Sequence, residues 1–263
     1  MAIQKQTQTE VSILELEQGE MEFCILGTTP LIMNRMSQKA WRELLAPKGR
    51  KNAAEKASSL KHDPVKEFRD SPYVLQDPDA PALLGVLATA FKGAMGTAAM
   101  DMPGVAKTQI KRMVYVEGEL LPVFGIPKLF MAITRSSDMN RTPDVRTRAI
   151  LPEWACKVKV RFTKPQLREQ GIANLLAAAG FTSGVGDWRQ EKGSGTYGSF
   201  KLVSADNPDF KRITETQGRF AQELALDIPE PYDLETAEML EWFSVESKAR
   251  GFKPTGAKEV EPA

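Results

Sequence analysis

The sequence predicts an α+β domain, and three observations carry this prediction. A β-rich stretch near the N-terminus, residues 22–26, is followed after a break by helical patterns. A strand–helix–strand succession then recurs near the end, at residues 153–162, 165–179 and 199–203. Its first strand alternates between apolar and basic side chains, which is typical of a sheet with one buried face. Two such units around an antiparallel sheet predict a modified ferredoxin-like, RRM-type core.

The N-terminal part of the chain mixes polar segments with short apolar ones. Residues 1–20 form a polar lead-in that lacks the apolar centre of a signal peptide. The first strand is broken by residues 27–30, GTTP, and resumes at 31–33, which predicts a kinked strand. Residues 37–47 predict a helix that ends at a proline. Residues 48–64 are polar and basic, without apolar periodicity, and form an excursion from the core.

The middle of the chain predicts the core helices and an inserted hairpin. Residues 71–81 predict a small hairpin, and residues 82–100, the most apolar stretch, predict a core helix rich in small residues. A second helix at 105–112 precedes a strand at 113–118. Residues 129–151 predict an arm-like β-hairpin with a polar tip, inserted into the core like a thumb.

The last strand–helix unit and the region after it complete the predicted organisation. Trp154, Cys156, Val158, Val160 and Phe162 face one way along the strand, and Lys157, Lys159 and Arg161 face the other. The predicted organisation is a lead-in at 1–20, an RRM-like core with basic insertions at 21–203, an acidic helical extension at 204–250 and a disordered tail at 251–263. Within the extension, residues 233–250 predict a helix with Asp233 as its N-cap.

Charge is distributed unevenly along a chain whose net charge is only +1. Residues 204–263 hold 13 acidic and 7 basic residues, so the preceding part is strongly basic. The basic excess concentrates at 35–69, with ten Lys/Arg against four acids, and at 135–168, with nine against three. A basic body with an acidic end indicates a polyanionic partner. The alternative is that both clusters are solvated faces.

Several classes of function find no support in the sequence. The two cysteines, Cys24 and Cys156, lack CxxC spacing and predict free thiols in a reducing cytoplasm. No apolar run is long enough for a membrane helix. Without a Cys/His cluster, a GxGxxG or a P-loop motif, we expect neither a metal nor a nucleotide cofactor. The one histidine, His62, lies in a polar stretch and is expected at the surface, so an enzyme is unsupported.

The stretch 184–198, GVGDWRQEKGSGTYG, is the most informative motif. Its five glycines permit positive φ and close approach of the backbone to a ligand, and successive amides can hold an anion. Arg189 and Lys192 add positive charge, and Trp188 or Tyr197 could stack on a base. The alternative is that Trp188 is a core residue and the glycines only permit a turn.

Two further basic surfaces fit a phosphate backbone. The hairpin 129–151 carries arginines suited to phosphate contact, although a solvated edge hairpin is the alternative. The Lys/Arg face of strand 153–162 would form a nucleic-acid platform in an RRM-like sheet, but it lacks stacking aromatics. This composition favours recognition of the backbone over recognition of bases.

Several motifs together resemble one protein family. They are G-x-x-P-L-I-M on the first strand, a basic hairpin, L-P-E-W, L-L-A-A-A-G and G-V-G-D-W-R…K-G…Y-G-S-F. Over about residues 22–203 the chain resembles the RAMP superfamily, and within it the Cas-seven-like backbone subunits of CRISPR effector complexes and their phage or prophage relatives. The resemblance implies a modified RRM fold that polymerises along a single-stranded nucleic acid, with a thumb-like hairpin over the strand.

The resemblance and the charge pattern together define a set of predicted nucleic-acid-binding residues. The resemblance implies the glycine loop as a backbone grip and Arg35 as a phosphate contact. The full predicted set is Arg35, Lys39, Arg135, Arg141, Arg146, Arg148, Lys157, Lys159, Arg161, Gly184, Gly186, Trp188, Arg189 and Lys192.

The sequence therefore predicts a non-catalytic protein that binds single-stranded RNA or DNA largely without sequence preference and oligomerises along the strand. We expect the protein in the cytoplasm of a bacterial host cell, where it is encoded by the host or by a phage. One alternative is a RAMP-like endoribonuclease that uses His62 or a loop aspartate. Another is a phage structural or assembly protein that needs no nucleic acid.

Overall fold

The structure of the protein is a computed structural model. It is an α+β fold of two antiparallel sheets with helices packed against them. The structure describes residues 15–37, 41, 44–46, 61–135, 143–192 and 195–252. The strands are β1 (Glu17–Gly27), β2 (Leu31–Ile32), β3 (Tyr73–Val74), β4 (Leu84–Leu87), β5 (Val114–Val116), β6 (Leu120–Phe124), β7 (Lys128–Arg135), β8 (Pro143–Leu151), β9 (Ala155–Lys164) and β10 (Phe200–Val203). The helices are α1 (Pro64–Asp70), α2 (Ala88–Ala98), α3 (Lys107–Met113), α4 (Glu169–Thr182), α5 (Pro208–Thr216), α6 (Arg219–Asp227) and α7 (Leu234–Ala249).

The larger sheet has the strand order β10-β1-β9-β6-β4-β3, and β5 also pairs with β9. Its centre is the antiparallel pair β1–β9, which stays in register from Glu17 opposite Lys164 to Leu26 opposite Ala155. Long central strands with apolar residues on one face bury a continuous core. The predicted alternation is confirmed: the residues on the apolar side of β9 and Trp154 before it are all buried.

Helices α2 and α4 cover the apolar face of this sheet. Phe91 and Met95 of α2 and Ile172 and Leu176 of α4 lie in the same core cluster as the buried residues of β9. Each of these four side chains is fully buried. Burial of one such side chain contributes about 1.5–3 kcal/mol, so the helices are held to the sheet by this apolar layer.

The smaller sheet consists of β2, β8 and β7, and it contains the predicted hairpin. Strands β7 and β8 pair from Lys128 opposite Ile150 to Arg135 opposite Pro143. The predicted kinked first strand is therefore two strands in two sheets, because β2 pairs with β8 of the hairpin. The hairpin tip, residues 136–142, lies outside the described residues.

Two predicted helices have different starts in the structure. Residues 84–87 were predicted as helix and form β4, which pairs with β6 from Gly85 opposite Pro122 to Leu87 opposite Leu120. An apolar run that is buried on both sides has no periodicity that distinguishes a strand from a helix. Residues 84–87 form a strand because they pair with β6. The helix predicted from residue 165 begins at Glu169.

The C-terminal helices are anchored to the core by polar side chains. Gln222 of α6 is fully buried. Its Oε1 accepts hydrogen bonds from the N–H groups of Leu83 (2.8 Å) and Leu84 (3.0 Å), and its Nε2 donates to the carbonyls of Val123 (2.8 Å) and Gly125 (3.0 Å). The side chain thus satisfies four backbone groups that the sheet leaves open.

Helix α7 begins where the sequence predicts. Asp233 is its N-cap and accepts a hydrogen bond from the N–H of Thr236 at 2.8 Å. An aspartate at this position satisfies a donor of the first turn and is favourable near the positive end of the helix. No helix within the described ranges is long and apolar enough to cross a membrane.

Candidate functional site

The glycine loop, residues 184–198 without the undescribed 193–194, folds against the connection between β1 and β2. Gly184 (φ 68°), Gly186 (φ 82°) and Trp188 (φ 49°) all have positive φ, so the backbone is left-handed at every second residue. The N–H of Asp187 donates to the carbonyl of Ile32 at 3.0 Å. The N–H of Gly198 donates to the carbonyl of Pro30 at 2.8 Å. The loop is therefore held in one conformation by backbone contacts.

Two of the glycines are required by this packing. A Cβ at Gly186 would lie 2.5 Å from Cδ1 of Leu31 and 2.7 Å from the carbonyl oxygen of Ile32. A Cβ at Gly198 would overlap the carbonyl oxygen of Val185 at 1.7 Å. Both positions also have the positive φ that side chains other than glycine rarely adopt. The glycines thus fix the loop against the core.

Some backbone N–H groups of the loop have no acceptor among the residues that the structure describes. The N–H groups of Gly184, Val185 and Asp187 donate to protein carbonyls. Those of Gly186 and Arg189 donate to no acceptor among the described residues. Unpaired amides next to positive-φ residues are typical of anion-binding backbone concavities. The loop can therefore accept an anionic ligand at these amides.

A cleft of about 380 Å³ lies beside this loop. One wall is the loop itself, and another is the face of α2 that carries only small side chains. The remaining walls come from β2 and the two residues after it, from Tyr73 of β3, from β4 and from α3. The lining residues include Leu31–Asn34, Gly85–Leu87, Thr89, Ala90, Gly93, Ala94, Thr97, Lys107, Lys111, Gly184–Asp187, Arg189 and Glu191. A cleft of this size can admit part of an extended polymer.

Lys107 and Lys111 bring positive charge to the cleft from α3. A Cβ at Gly96 would lie 3.4 Å from the Lys111 side chain and 3.8 Å from that of Lys107, so both lysine stems pack closely over α2. Neither ammonium group forms an ion pair with a residue that the structure describes. The lysines are spaced i, i+4 and share one face of the helix. They provide unneutralised cations at the cleft.

Arg189 is turned back onto the loop. Its guanidinium donates to Glu191 at 2.8 Å and to the carbonyl of Gly186 at 3.0 Å. Glu191 also accepts a hydrogen bond from the hydroxyl of Thr97 on α2 at 3.0 Å. Arg189 therefore lines the cleft as half of an ion pair. The side chain of Lys192 is not described.

Trp188 and Arg148 tie the glycine loop to the hairpin. The Trp188 ring contacts Phe130 edge-to-face, with centroids 6.0 Å apart, and Tyr197 at 6.3 Å. The Arg148 guanidinium lies 5.8 Å above the Trp188 ring and pairs with Asp187. Both predicted residues are only partly exposed, and they hold β8 to the loop.

The Lys/Arg face of β9 is matched by carboxylates. Lys159 and Arg161 both pair with Glu20 of β1, at 2.7 and 3.1 Å, and both pair with Glu117, at 3.4 and 2.8 Å. The hydrogen bond from Lys159 lowers the pKa of Glu20. Lys157 lies 3.6 Å from Glu22. A phosphate on this face would have to displace these carboxylates.

The remaining predicted residues lie at the surface or outside the described residues. Arg35 and Arg135 are exposed and form no ion pair with described residues. Arg35 directly follows Asn34, which lines the cleft. Arg146 is exposed and pairs with Asp144 at 3.2 Å. Lys39 and Arg141 lie outside the described residues.

His62 lies between two carboxylates from different elements. Its Nδ1 is 2.8 Å from Glu67 of α1, and its Nε2 is 2.9 Å from Asp144 of β8. Ionised carboxylates only accept, so the ring satisfies both contacts when both nitrogens carry protons. The hydrogen bond to Glu67 raises the pKa of His62. With both nitrogens engaged, the ring joins α1 to the hairpin.

The His62 contact predicts a pH-dependent stability. The folded pKa lies above the unfolded value, so the contribution is full below the unfolded pKa and is lost as pH rises through the folded pKa. We expect the unfolding temperature of the wild type to fall relative to that of His62→Gln as pH rises above the ordinary histidine value of about 6.5. Equal pH profiles of the two proteins would contradict this contact.

Sequence reasoning missed the cleft wall formed by α2 and α3. The signals were present as the i, i+4 lysines of residues 105–112 and the small residues of 88–98. Helical periodicity places each set on one face, but it does not say that the two faces meet. Only the packing of α3 on α2 brings Lys107 and Lys111 to the cleft.

Comparison with solved structures gives a weak likeness. No family model and no curated protein matches the chain. A solved structure described as the Type III-B Cmr-beta complex bound to cognate target RNA is similar with a TM-score of 0.32 and 10% sequence identity. The match covers 70% of this chain and 59% of that chain. A TM-score this low does not establish a shared fold.

Proposed function

We propose that this chain is a non-catalytic protein that binds single-stranded RNA or DNA in the cleft beside the glycine loop. The observation that carries the proposal is the composition of the cleft walls. Unpaired amides of the loop and the unneutralised Lys107 and Lys111 line one continuous space. Amides and ammonium groups both donate to phosphate oxygens. Small side chains on α2 leave room for the sugar-phosphate chain between them.

The proposal places the main contact in the cleft and not on the outer face of β9. The cations of β9 already have carboxylate partners, so a phosphate gains little there. Arg35 next to the cleft and Arg135 on the hairpin are exposed cations that could extend the contact. Their roles, and those of the other predicted residues, remain predictions.

The proposed fold within the α+β class is a ferredoxin-like core. The succession β1, α2, β5, β9, α4 and β10 has the sheet order β10-β1-β9-β5, and each neighbouring pair is antiparallel. This order fits a β-α-β-β-α-β unit elaborated by insertions. It supports the sequence resemblance to RAMP-type proteins, which implies a grip on the backbone of a nucleic acid.

Binding through phosphates should be largely independent of sequence. Phosphate contacts fix the position of a nucleic acid but carry no base information. The cleft wall includes one aromatic residue, Tyr73, so stacking contributes little to the proposed contact. We propose that copies of the protein assemble along one strand in this way.

Purification without nuclease tests the proposed function. Nucleic acid should accompany the protein at low salt, and its sensitivity to RNase or DNase identifies the ligand. A folded protein that carries none and binds no added single-stranded RNA or DNA would contradict the proposal. If the protein binds neither RNA nor DNA but its oligomers persist after complete nuclease digestion, the result would favour a structural or assembly role.

Charge reversal in the cleft should weaken binding and its salt dependence together. For Lys107→Glu with Lys111→Glu we expect the slope of log affinity against log salt to fall by about 1.4, the value for two single-strand contacts. Fluorescence anisotropy with a short oligonucleotide at several salt concentrations measures this slope. Lys157→Glu with Lys159→Glu reverses two cations that already have carboxylate partners and is the matched control. An equal loss of affinity and of salt dependence in the control would indicate that the nucleic acid binds at β9 and not in the cleft.

A further inference from the structure

Helix α7 exposes large apolar side chains that the described protein does not cover. Trp242 is 57% exposed, Val245 65% and Leu234 83%. The positions 234, 242 and 245 are spaced i, i+8 and i+11, which places them on one face of the helix. An exposed apolar face of this kind marks an interaction surface.

Unpaired glutamates share this face. Glu238 and Glu241 occupy the i+4 and i+7 positions relative to Leu234, and both are exposed. Neither forms an ion pair with any residue in the described part of the chain. The outward face of α7 is therefore both apolar and acidic, and a complementary partner must be apolar and basic.

The opposite face of α7 is the one that packs on the protein. Thr236 and Ser247 are buried there, and the hydroxyl of Thr236 accepts a hydrogen bond from the N–H of Met131 in β7 at 3.3 Å. Small polar residues thus face inward while Trp242 and Val245 face solvent. Because the inward face contacts β7, the outward face turns away from the hairpin of its own chain.

The distal part of the hairpin has the complementary character. Ile133 of β7 is 71% exposed and lies directly opposite Val145 of β8, which is also exposed. Arg135 is exposed, has no ion-pair partner among described residues and lies two positions after Ile133, on the same face of the hairpin. This surface presents an apolar pair beside an unpaired arginine. It complements the apolar and acidic face of α7.

We propose that the outward face of α7 docks on the distal hairpin of a second copy of this chain. The inference deepens the self-association in the proposed function and rests on that part of it. A second copy is the partner that we infer, because this chain itself carries a surface of complementary charge. The two surfaces differ, so the contact is heterologous and repeats head to tail into a ring or filament.

Removing the apolar part of α7 tests the contact in nuclease-treated protein. Trp242→Ala with Val245→Ala should raise the concentration for half-assembly at least about tenfold in sedimentation velocity, since buried tryptophans dominate interfaces. Phe220→Ala with Leu224→Ala removes an exposed aromatic and an exposed aliphatic side chain from α6, 81% and 54% exposed, and serves as the matched control. A wild type that stays monomeric, or an equal loss in the control, would overturn the proposal.

Charge swaps test which surfaces meet. Arg135→Glu, and separately Glu238→Arg with Glu241→Arg, should each abolish assembly by placing like charges opposite one another. An equimolar mixture of the two variants should assemble again, because each hairpin then meets an opposite charge on the other variant. Assembly that survives the hairpin swap, or a mixture that stays monomeric, would overturn the head-to-tail contact.

The proposed docking surface and the proposed nucleic-acid site can be tested independently of each other. A short oligonucleotide that spans one subunit should bind the Trp242→Ala, Val245→Ala variant with an affinity within about twofold of the wild type. Loss of assembly with retained oligonucleotide binding supports the docking surface. Assembly of nuclease-treated wild type without any oligonucleotide binding would overturn the cleft proposal and leave the docking contact standing.

Discussion

The Gly93→Leu variant is expected to bind single-stranded oligonucleotides at least about tenfold more weakly than the wild type while folding at least as well. Gly93 lies on the face of α2 that lines the cleft, and a Cβ there would meet no atom within 4 Å. A leucine side chain thus has room in the protein but occupies the space proposed for the ligand. Its higher helix propensity should raise stability by about 0.5–1 kcal/mol.

Gly171 on α4 provides the matched control for this variant. A Cβ at Gly171 would also meet no atom within 4 Å, and the residue does not line the cleft. Gly171→Leu should therefore gain a similar stability and keep full affinity in the same anisotropy titration. Unchanged affinity of Gly93→Leu, with the stability gain observed, would show that the ligand binds elsewhere.

The Gln222→Leu variant is expected to lose about 3–4 kcal/mol of unfolding free energy. The amide of Gln222 satisfies four backbone groups of the sheet, and an apolar replacement leaves them buried without partners. Urea unfolding followed by circular dichroism measures the loss. The result would show that the C-terminal helices stabilise the core and are not an independent appendage.

Gln217 provides the comparison for Gln222. Its side chain contacts the N–H of Ile126 and the carboxylate of Glu153, both at 3.3 Å and at the exposed surface. Gln217→Leu should cost at most about 1 kcal/mol because water can replace these bonds. If both variants unfold at the same urea concentration, the buried amide does not anchor the extension.

Local patterns in the sequence predicted the elements of this fold well. The alternation from Trp154 to Phe162 identified a half-buried strand and its buried face. Asp233 identified the start of α7 through its capping chemistry. Such signals depend on neighbouring residues, which is why they can be read from the chain alone.

The environment of the basic residues could not be read in this way. Glu20 and Glu117 reach Lys159 only through the pairing of β1 and β5 with β9, over long distances in sequence. Trp188 packs against Phe130 because the loop and the hairpin meet in space. Whether a cation is neutralised or an aromatic is free to stack depends on such tertiary contacts.

Ultraviolet crosslinking of oligouridine and oligothymidine tests the central claim most directly. The crosslinking is done at low salt on folded, nuclease-treated protein. The crosslinked peptides are then identified by mass spectrometry. The cleft predicts crosslinks in peptides from α2, α3 and the glycine loop, and their loss in Gly93→Leu. Crosslinks confined to β1 and β9, or none with either oligonucleotide, would contradict a nucleic-acid site in the cleft.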